Sequence, residues 1–246
     1  MALVNSCLVY DSWMADILKR DVFRVTGDLS TGEAPDELED ALKKSPVFLY
    51  SKIPVESVDG MKFLQQKHFH LIDTNVVFEK ESSLTAPLDS PCEMREALAS
   101  EESQVVALAR QTFTQTRFHL DPQISLEQAN NIKAEWARSF FKGKRGNQMI
   151  VAIQDEKVCG FLQLIYGEGD VLIVDLIGVD ASHRRKNIAR NMILYAESSC
   201  GALQADGKFK KVRVGTQIAN IPSIRLYEGL GFKCASAQYV FHITIK

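Results

Sequence analysis

Two segments carry residue types that can do chemistry. Residues 171–189, VLIVDLIGVDASHRRKNIA, read as an apolar strand, a polar elbow with Arg184, Arg185 and Lys186, and a helix that starts at Asn187, Ile188 and Ala189. A helix start offers free backbone N–H groups and the positive end of its dipole, so such an elbow cradles a phosphate. Cations placed there oppose the dipole unless an anion joins them. Without an anion, the same run is a solvated charged face. Residues 214–232, VGTQIANIPSIRLYEGLGF, read as a strand, Asn220, a short helix bearing Tyr227, then Gly231-Phe232 and another strand. Asn220 suits a helix cap ahead of Pro222. Tyr227 is open to two readings, a half-buried core side chain or a positioned proton donor.

Two carboxylates invite the same question. Asp175 interrupts the apolar run VLIVDLIGV, where an unpaired charge is costly and needs an explanation. Asp73 stands near the start of a β-rich run at 71–79. Each is either a general base or a member of a structural ion pair. Arg117, Phe118 and His119 follow an amphipathic helix and precede Asp121-Pro122, which fits a surface turn. His68 and His70, two apart, share one strand face, but no third ligand accompanies them, so no metal site is expected.

The elements that must hold these residues follow from periodicity. Residues 23–25, 47–53 and 71–79 read as strands and 35–44 and 57–66 as helices, an α/β module before the Pro-containing stretch TAPLDSP. Beyond it, helices are expected at 101–114 and 126–142. An antiparallel hairpin follows, 148–153 with 157–165, turning at Gln154-Asp155-Glu156. A strand at 171–179, a helix at 187–199, a strand at 211–217, a helix at 222–229 and a strand at 238–245 complete the order. The expected fold class is α/β (α+β), a mixed, mostly antiparallel sheet flanked by helices. The expected domains are 1–84, an N-terminal α/β unit; 85–95, a linker; and 96–246, the main domain. FLQQKHFHLIDTNVVFEK (63–80) faintly echoes RLYEGLGFKCASAQYVFHITIK (225–246), each a helix end, a Phe and an apolar strand. On that echo the N-terminal unit is a degenerate copy of the main fold.

Composition narrows the function. The 246 residues are 46% hydrophobic, enough for a core, and 29 basic residues nearly balance 31 acidic ones, so no global field favours nucleic acid. The N-terminal segment lacks the basic flank and apolar run of a signal peptide, and no stretch reads as a membrane span, so a cytoplasmic protein is expected. Five scattered cysteines without a CxxC pair suggest neither a disulfide framework nor a zinc site.

Arg184-Arg185-Lys186-Asn187-Ile188-Ala189 resembles the Q/R-x-x-G-x-G/A signature of the GNAT acyl-CoA N-acyltransferases. Asn220, Arg225-Leu226-Tyr227 and Gly231-Phe232 resemble their later Asn…Leu-Tyr…Gly-Phe motif. The likeness covers about 101–246. Within the family, Phe113-Thr114-Gln115-Thr116-Arg117-Phe118-His119, then Trp136 and Gly143, resemble the dTDP-fucosamine acetyltransferase group. One position departs: Asn187 stands where the signature has its first Gly, a residue type that tolerates left-handed torsions better than most.

The resemblance implies acetyl-CoA as co-substrate, a small-molecule amine as acceptor, and no metal. The diphosphate would lie on the backbone of Arg184 to Ala189. Leu176, Ile177, Gly178 and Val179 would line the pantetheine arm as an added strand, with Asn220 also touching the coenzyme. Tyr227 would protonate the departing thiolate. Asp73 lies near a carboxylate of the sugar enzymes that acts through a water. Arg117, Phe118 and His119 would border the substrate, with Arg117 holding a nucleotide-sugar phosphate. A homodimer is a compatible assembly. Two other functions share the cradle: peptide, protein or small-amine acetylation, with Tyr166, Glu168 and Asp170 lining the acceptor groove, or acyl-CoA binding without catalysis.

Overall fold

The structure, a computed structural model, describes residues 7–27, 29, 35–83, 89–200 and 209–246. In chain order these form β1 (Leu8–Tyr10), α1 (Ser12–Leu18), β2 (Asp21–Val25), α2 (Asp36–Leu42), β3 (Val47–Pro54), α3 (Val58–Gln66) and β4 (His70–Glu81). Then come β5 (Glu93–Glu96), α4 (Glu102–Thr112), α5 (Arg117–Leu120), α6 (Leu126–Phe141), β6 (Gln148–Gln154), β7 (Lys157–Gly167) and β8 (Val171–Val179). The chain closes with α7 (Ile188–Cys200), β9 (Lys211–Gln217), α8 (Ile221–Gly229) and β10 (Lys233–Ile245).

Local chemistry sets the boundaries. In α6, Ser125 Oγ accepts from Gln128 N at 3.2 Å while the Gln128 side chain accepts from Ser125 N at 3.0 Å, a reciprocal cap. The β6–β7 hairpin turns on Asp155 and Glu156 with φ of 51° and 62°, the paired left-handed torsions of a two-residue turn whose twist matches its strands. The short α1 was not foreseen. Asp11 Oδ1 caps it from Met14 N at 2.9 Å, and it buries Met14, Ala15 and Leu18. The end of the expected linker also differs: residues 93–95 belong to β5, which pairs antiparallel with β6. Residues 85–88 of that stretch lie outside the described residues.

All ten strands join one sheet, in the order β1-β2-β3-β10-β4-β9-β8-β7-β6-β5. Only β2–β3 and β8–β9 pair in parallel. The C-terminal β10 runs antiparallel between β3 and β4, so strands from before and after residues 85–95 share one ladder. The two helix–strand units of the sequence echo, α3–β4 and α8–β10, thus place neighbouring strands at the sheet's centre. On one face α7 and α8 cover Val174, Val212, Val214 and Phe232. On the other, α1, α5 and α6 cover Phe48 and Tyr50, while α4 and α6 cover Met149, Val151 and Phe161. Among the described residues, no helix is long and apolar enough to cross a membrane.

Candidate active site

The sheet opens where β8 and β9 part. They pair only from Val171↔Lys211 to Val174↔Val214, although β8 continues to Val179 and β9 to Gln217. A bulge in β8 sits at the parting point. Gln163 pairs with Leu176 and Leu164 with Val174, so Asp175 is the extra residue, and the added twist turns the strand away from β9. Leu176, Ile177, Gly178 and Val179 stay paired to β7 on one edge and face the gap on the other. Gly178 is a close approach: a Cβ there would meet Phe161 Cε1 at 2.7 Å.

The loop after β8 forms as an anion cradle requires. Asp180 accepts from Ser182 N at 2.9 Å, and its carboxyl is held down to about 2, first by the Ser182 hydroxyl and then by His183. Arg185 and Asn187 adopt φ of 63° and 60°, so Asn187 takes the left-handed torsion that the signature Gly would allow. The first bond into α7 runs from Asn191 N to the Asn187 carbonyl at 2.9 Å, which leaves the preceding amides at the helix mouth. Ile188 is buried in the core and Ala189 is half-buried, whereas Arg185, Lys186 and Asn187 are exposed. The Arg184 guanidinium turns back, donating to Thr112 O at 3.1 Å and Val179 O at 3.4 Å, so two of its donors point away from the helix mouth.

Tyr227 is buried on the α7–α8 side, its ring 6.1 Å from Phe78 and 5.8 Å from Phe232. Burial pushes its phenol up to about 12, against the Ser223 hydrogen bond, so it stays a neutral donor. Asn220 Oδ1 caps α8 by accepting from Ser223 N at 3.3 Å, at the end of β9 and hence at the rim of the gap.

On the opposite face lies a cavity of about 560 Å³. Its cations are Arg24, Lys52, Arg117, Lys144 and Arg145, and its carboxylates are Asp11 and Asp16. Sequence reading found only Arg117 among these, because the rest come from separate strands and loops without a shared motif. Trp136, also in the wall, is known from the sequence through the family resemblance. Arg117 stacks 4.4 Å from both the Tyr50 and Phe118 ring centres, and its Nη1 lies 3.2 Å from His242 Nε2. Phe118 and His119 do not line the cavity. Phe118 is a core side chain that Arg117 stacks on, and His119 is held by Thr116 at 2.7 Å and Asn130 at 3.0 Å. A single helical turn cannot aim consecutive side chains at one surface.

The two carboxylates separate cleanly. Asp175 accepts from Arg145 through Nε at 2.8 Å and Nη2 at 2.6 Å, from Trp136 Nε1 at 2.8 Å and from Gln163 Nε2 at 3.1 Å. The geometry is that of an ion pair, since four donors occupy the lone pairs that a base would use. Asp175→Asn should cost about 1–3 kcal/mol of stability, read as a lower melting temperature. It should leave the acidic limb of the rate profile in place; a displaced limb would restore Asp175 as the base. Asp73 differs. Its Oδ1 accepts from Thr74 N at 2.7 Å while Oδ2 is buried without a partner among the described residues. Burial raises its carboxyl, opposed by Thr74 N–H, Lys52 and Arg117. It lies beside the end of β9, where Ile218 N donates to Thr74 O at 2.8 Å. Tyr166 and Asp170, by contrast, sit at the other end of β8, bonded to Gln148 and Lys210.

Known proteins resemble this chain in sequence and fold. Residues 105–232, just over half of the chain, match the Acetyltransferase (GNAT) family. The chain belongs to the GNAT family. GNAT proteins are acyl-CoA-dependent N-acetyltransferases, and the mixed, largely antiparallel sheet flanked by helices is their fold. The chain is 29% identical over 201 residues to the spore coat polysaccharide biosynthesis protein SpsD of Bacillus subtilis (strain 168). That match covers 80% of this chain and 66% of SpsD, just under two thirds of its length. The fold is shared with a GNAT from Kribbella flavida, at a TM-score of 0.62 and 14% identity over 98% of this chain and 88% of that one. A tandem GNAT protein from the clavulanic acid biosynthesis pathway, solved without AcCoA, also gives 0.62 at 14% identity, over 91% and 75% of the two chains. A GNAT from Sphaerobacter thermophilus gives 0.57 at 12% identity, over 86% and 64%.

Proposed function

We propose that this GNAT protein moves acetyl from acetyl-CoA to the primary amine of a nucleotide-linked amino sugar. The cation-walled cavity beside the parted strands carries the acceptor half of this reading. A nucleotide sugar brings a diphosphate, and Arg24, Lys52, Arg117 and Lys144 supply charge-assisted donors for it. The polysaccharide role in the name of SpsD agrees with a sugar acceptor. In this reading the amides from Arg185 to Ala189 hold the coenzyme diphosphate, and the open edge from Leu176 to Val179 aligns the pantetheine arm. Backbone N–H groups near Val179 stabilise the oxyanion that forms when the amine attacks the thioester, and Tyr227 donates a proton to the departing sulfur.

Acetyl-CoA should stabilise the fold: at about a hundred times its dissociation constant, mass action adds roughly 2.7 kcal/mol, visible as a raised melting temperature. No shift at millimolar acetyl-CoA would sink the coenzyme assignment. The acceptor class is tested by following CoA release with nucleotide-linked amino sugars, free amino sugars, polyamines and short peptides. Nucleotide-linked sugars should react fastest, and faster turnover of peptides or polyamines would replace the sugar reading.

A further inference from the structure

Cys92 and Cys159 are 67 residues apart in the chain, yet their sulfurs lie 3.4 Å apart in the fold. Both are buried free thiols in the core that α7 covers, in one cluster with Ile188 and Met192. Cys92 stands just before the edge strand β5 and Cys159 in β7, so the contact passes over β6. Each thiol also has an oxygen acceptor: Cys159 Sγ donates to Ala152 O at 3.3 Å, and Cys92 Sγ to Gln154 Oε1 at 3.8 Å. Cys159 is itself the extra residue of a bulge. Ala152 pairs with Gly160 and Ile153 with Val158, so Cys159 has no ladder partner and is the point of β7 freest to shift. Its carbonyl accepts from Asp180 N at 2.8 Å, and Asp180 opens the loop that carries Arg185 and Asn187. The next residue, Gly160, packs so closely on α7 that a Cβ there would lie 3.2 Å from both Ile188 and Met192. The bulge therefore touches the start of the anion loop and the first turns of its helix.

We propose that Cys92 and Cys159 are a redox modification site: a hydroperoxide joins them in a disulfide that a thiol reductant reopens, and the bond weakens the hold of the loop beyond Asp180 on the coenzyme. The second half of this inference rests on the acetyl-CoA reading above, and the first half does not. Access comes from the sheet's edge. Strand β5 is four residues long, ends the sheet and pairs only with β6, so it opens at a smaller free-energy cost than the central strands and uncovers Cys92. Cys159 is sealed deeper, and burial followed by the Cys92 contact pushes its thiol up to about 12, so it stays protonated. Cys92 is therefore the sulfur that is oxidised first.

The step balances. The Cys92 sulfur attacks the hydroperoxide, breaking its O–O bond to give a sulfenic acid and an alcohol, or water from hydrogen peroxide. The Cys159 sulfur then attacks the sulfenic sulfur, the S–S bond forms as the S–O bond breaks, and the Cys159 proton leaves with the hydroxyl as water. The two thiols together lose two electrons, and the peroxide bond takes them up. Sulfurs in a disulfide stand about 2.05 Å apart, so the pair must close by about 1.4 Å from its present contact. Part of that movement falls on the bulge, and the Asp180 hydrogen bond and the Gly160 contact with α7 move with it.

The test compares reduced wild-type protein with the same protein treated with hydrogen peroxide. Peptide mapping without reductant should recover Cys92 linked to Cys159, with the intact mass lower by two hydrogens, and dithiothreitol should reverse both. Titration with acetyl-CoA should give a dissociation constant at least about fivefold higher for the oxidised protein. Linkage then requires that bound acetyl-CoA shift the dithiol–disulfide equilibrium, measured in a glutathione buffer, toward the dithiol by the same factor. Cys92→Ser should abolish the link and both effects, whereas Cys234→Ser, which removes an exposed thiol outside the contact, should keep them. Thiols 92 and 159 that stay unlinked while Cys234 is oxidised would overturn the proposal, and so would a linked pair with unchanged acetyl-CoA affinity. If the reduced protein binds no acetyl-CoA, the coenzyme reading fails, and the mapping still decides the disulfide on wild-type protein.

Discussion

Tyr227→Phe should lower kcat by about a hundredfold or more while leaving acetyl-CoA affinity within a few-fold. The substitution deletes one oxygen and keeps the ring between Phe78 and Phe232, so the packing of α8 against the sheet survives. The lost hydroxyl has a single side-chain partner, Ser223, and its removal should cost no more than about 1 kcal/mol of stability. A phenol pushed up to about 12 is protonated throughout the working pH range, so the variant should be defective at every pH and should not change the shape of the profile. That flat defect separates Tyr227 from a general base, whose loss reshapes the acidic limb. Steady-state kinetics with a saturating amine decide the matter: unchanged kcat would make Tyr227 a packing residue.

The strand, elbow and helix start around residues 171–189 were legible in sequence because they are local. A strand, an elbow and a helix start occupy consecutive residues, and their chemistry follows from backbone groups that every residue type supplies. Asn187 illustrates this, since its tolerance of left-handed torsions can be read from its side chain, and it sits at φ 60°. Asp175 was legible only as a problem. A charge in an apolar run demands a partner, but Arg145, 30 residues away, is brought to it by folding. The cation-walled cavity is non-local throughout. Arg24, Lys52 and Arg117 reach one cavity from β2, β3 and α5, and no spacing announces this. Likewise, periodicity finds β10 as a strand but cannot show that it inserts between β3 and β4. Short elements such as α1 and β5 carry too few residues for a period to emerge; their caps and pairings come from tertiary context.

Arg117→Ala should raise the acceptor KM by roughly 10- to 100-fold and change kcat little, because a contact to a distal phosphate is felt equally in ground and transition states. The structure holds this guanidinium in advance. Tyr50 and Phe118 sandwich it, and Tyr50 is itself fixed by donating to Asp11 Oδ2 at 2.9 Å. Behind it, burial lowers the buried His242 to about 4, so at neutral pH its ring carries one proton. Nδ1–H donates to Asp121 Oδ2 at 2.7 Å, which leaves the Nε2 lone pair to accept from Arg117 Nη1. A further guanidinium bond goes to Tyr50, and the side chain lines the cavity. Protonating His242 would place a second cation against Arg117, so the acceptor KM should be insensitive to this group above pH 6 and rise as pH falls through about 4. Arg117→Lys should recover only part of the loss, since an ammonium keeps the charge but neither the stacking nor the paired donors. The control is an amino sugar without its nucleotide. Its KM, already high, should barely respond to Arg117→Ala; an equal proportional loss for both acceptors would remove the phosphate from the role assigned to Arg117.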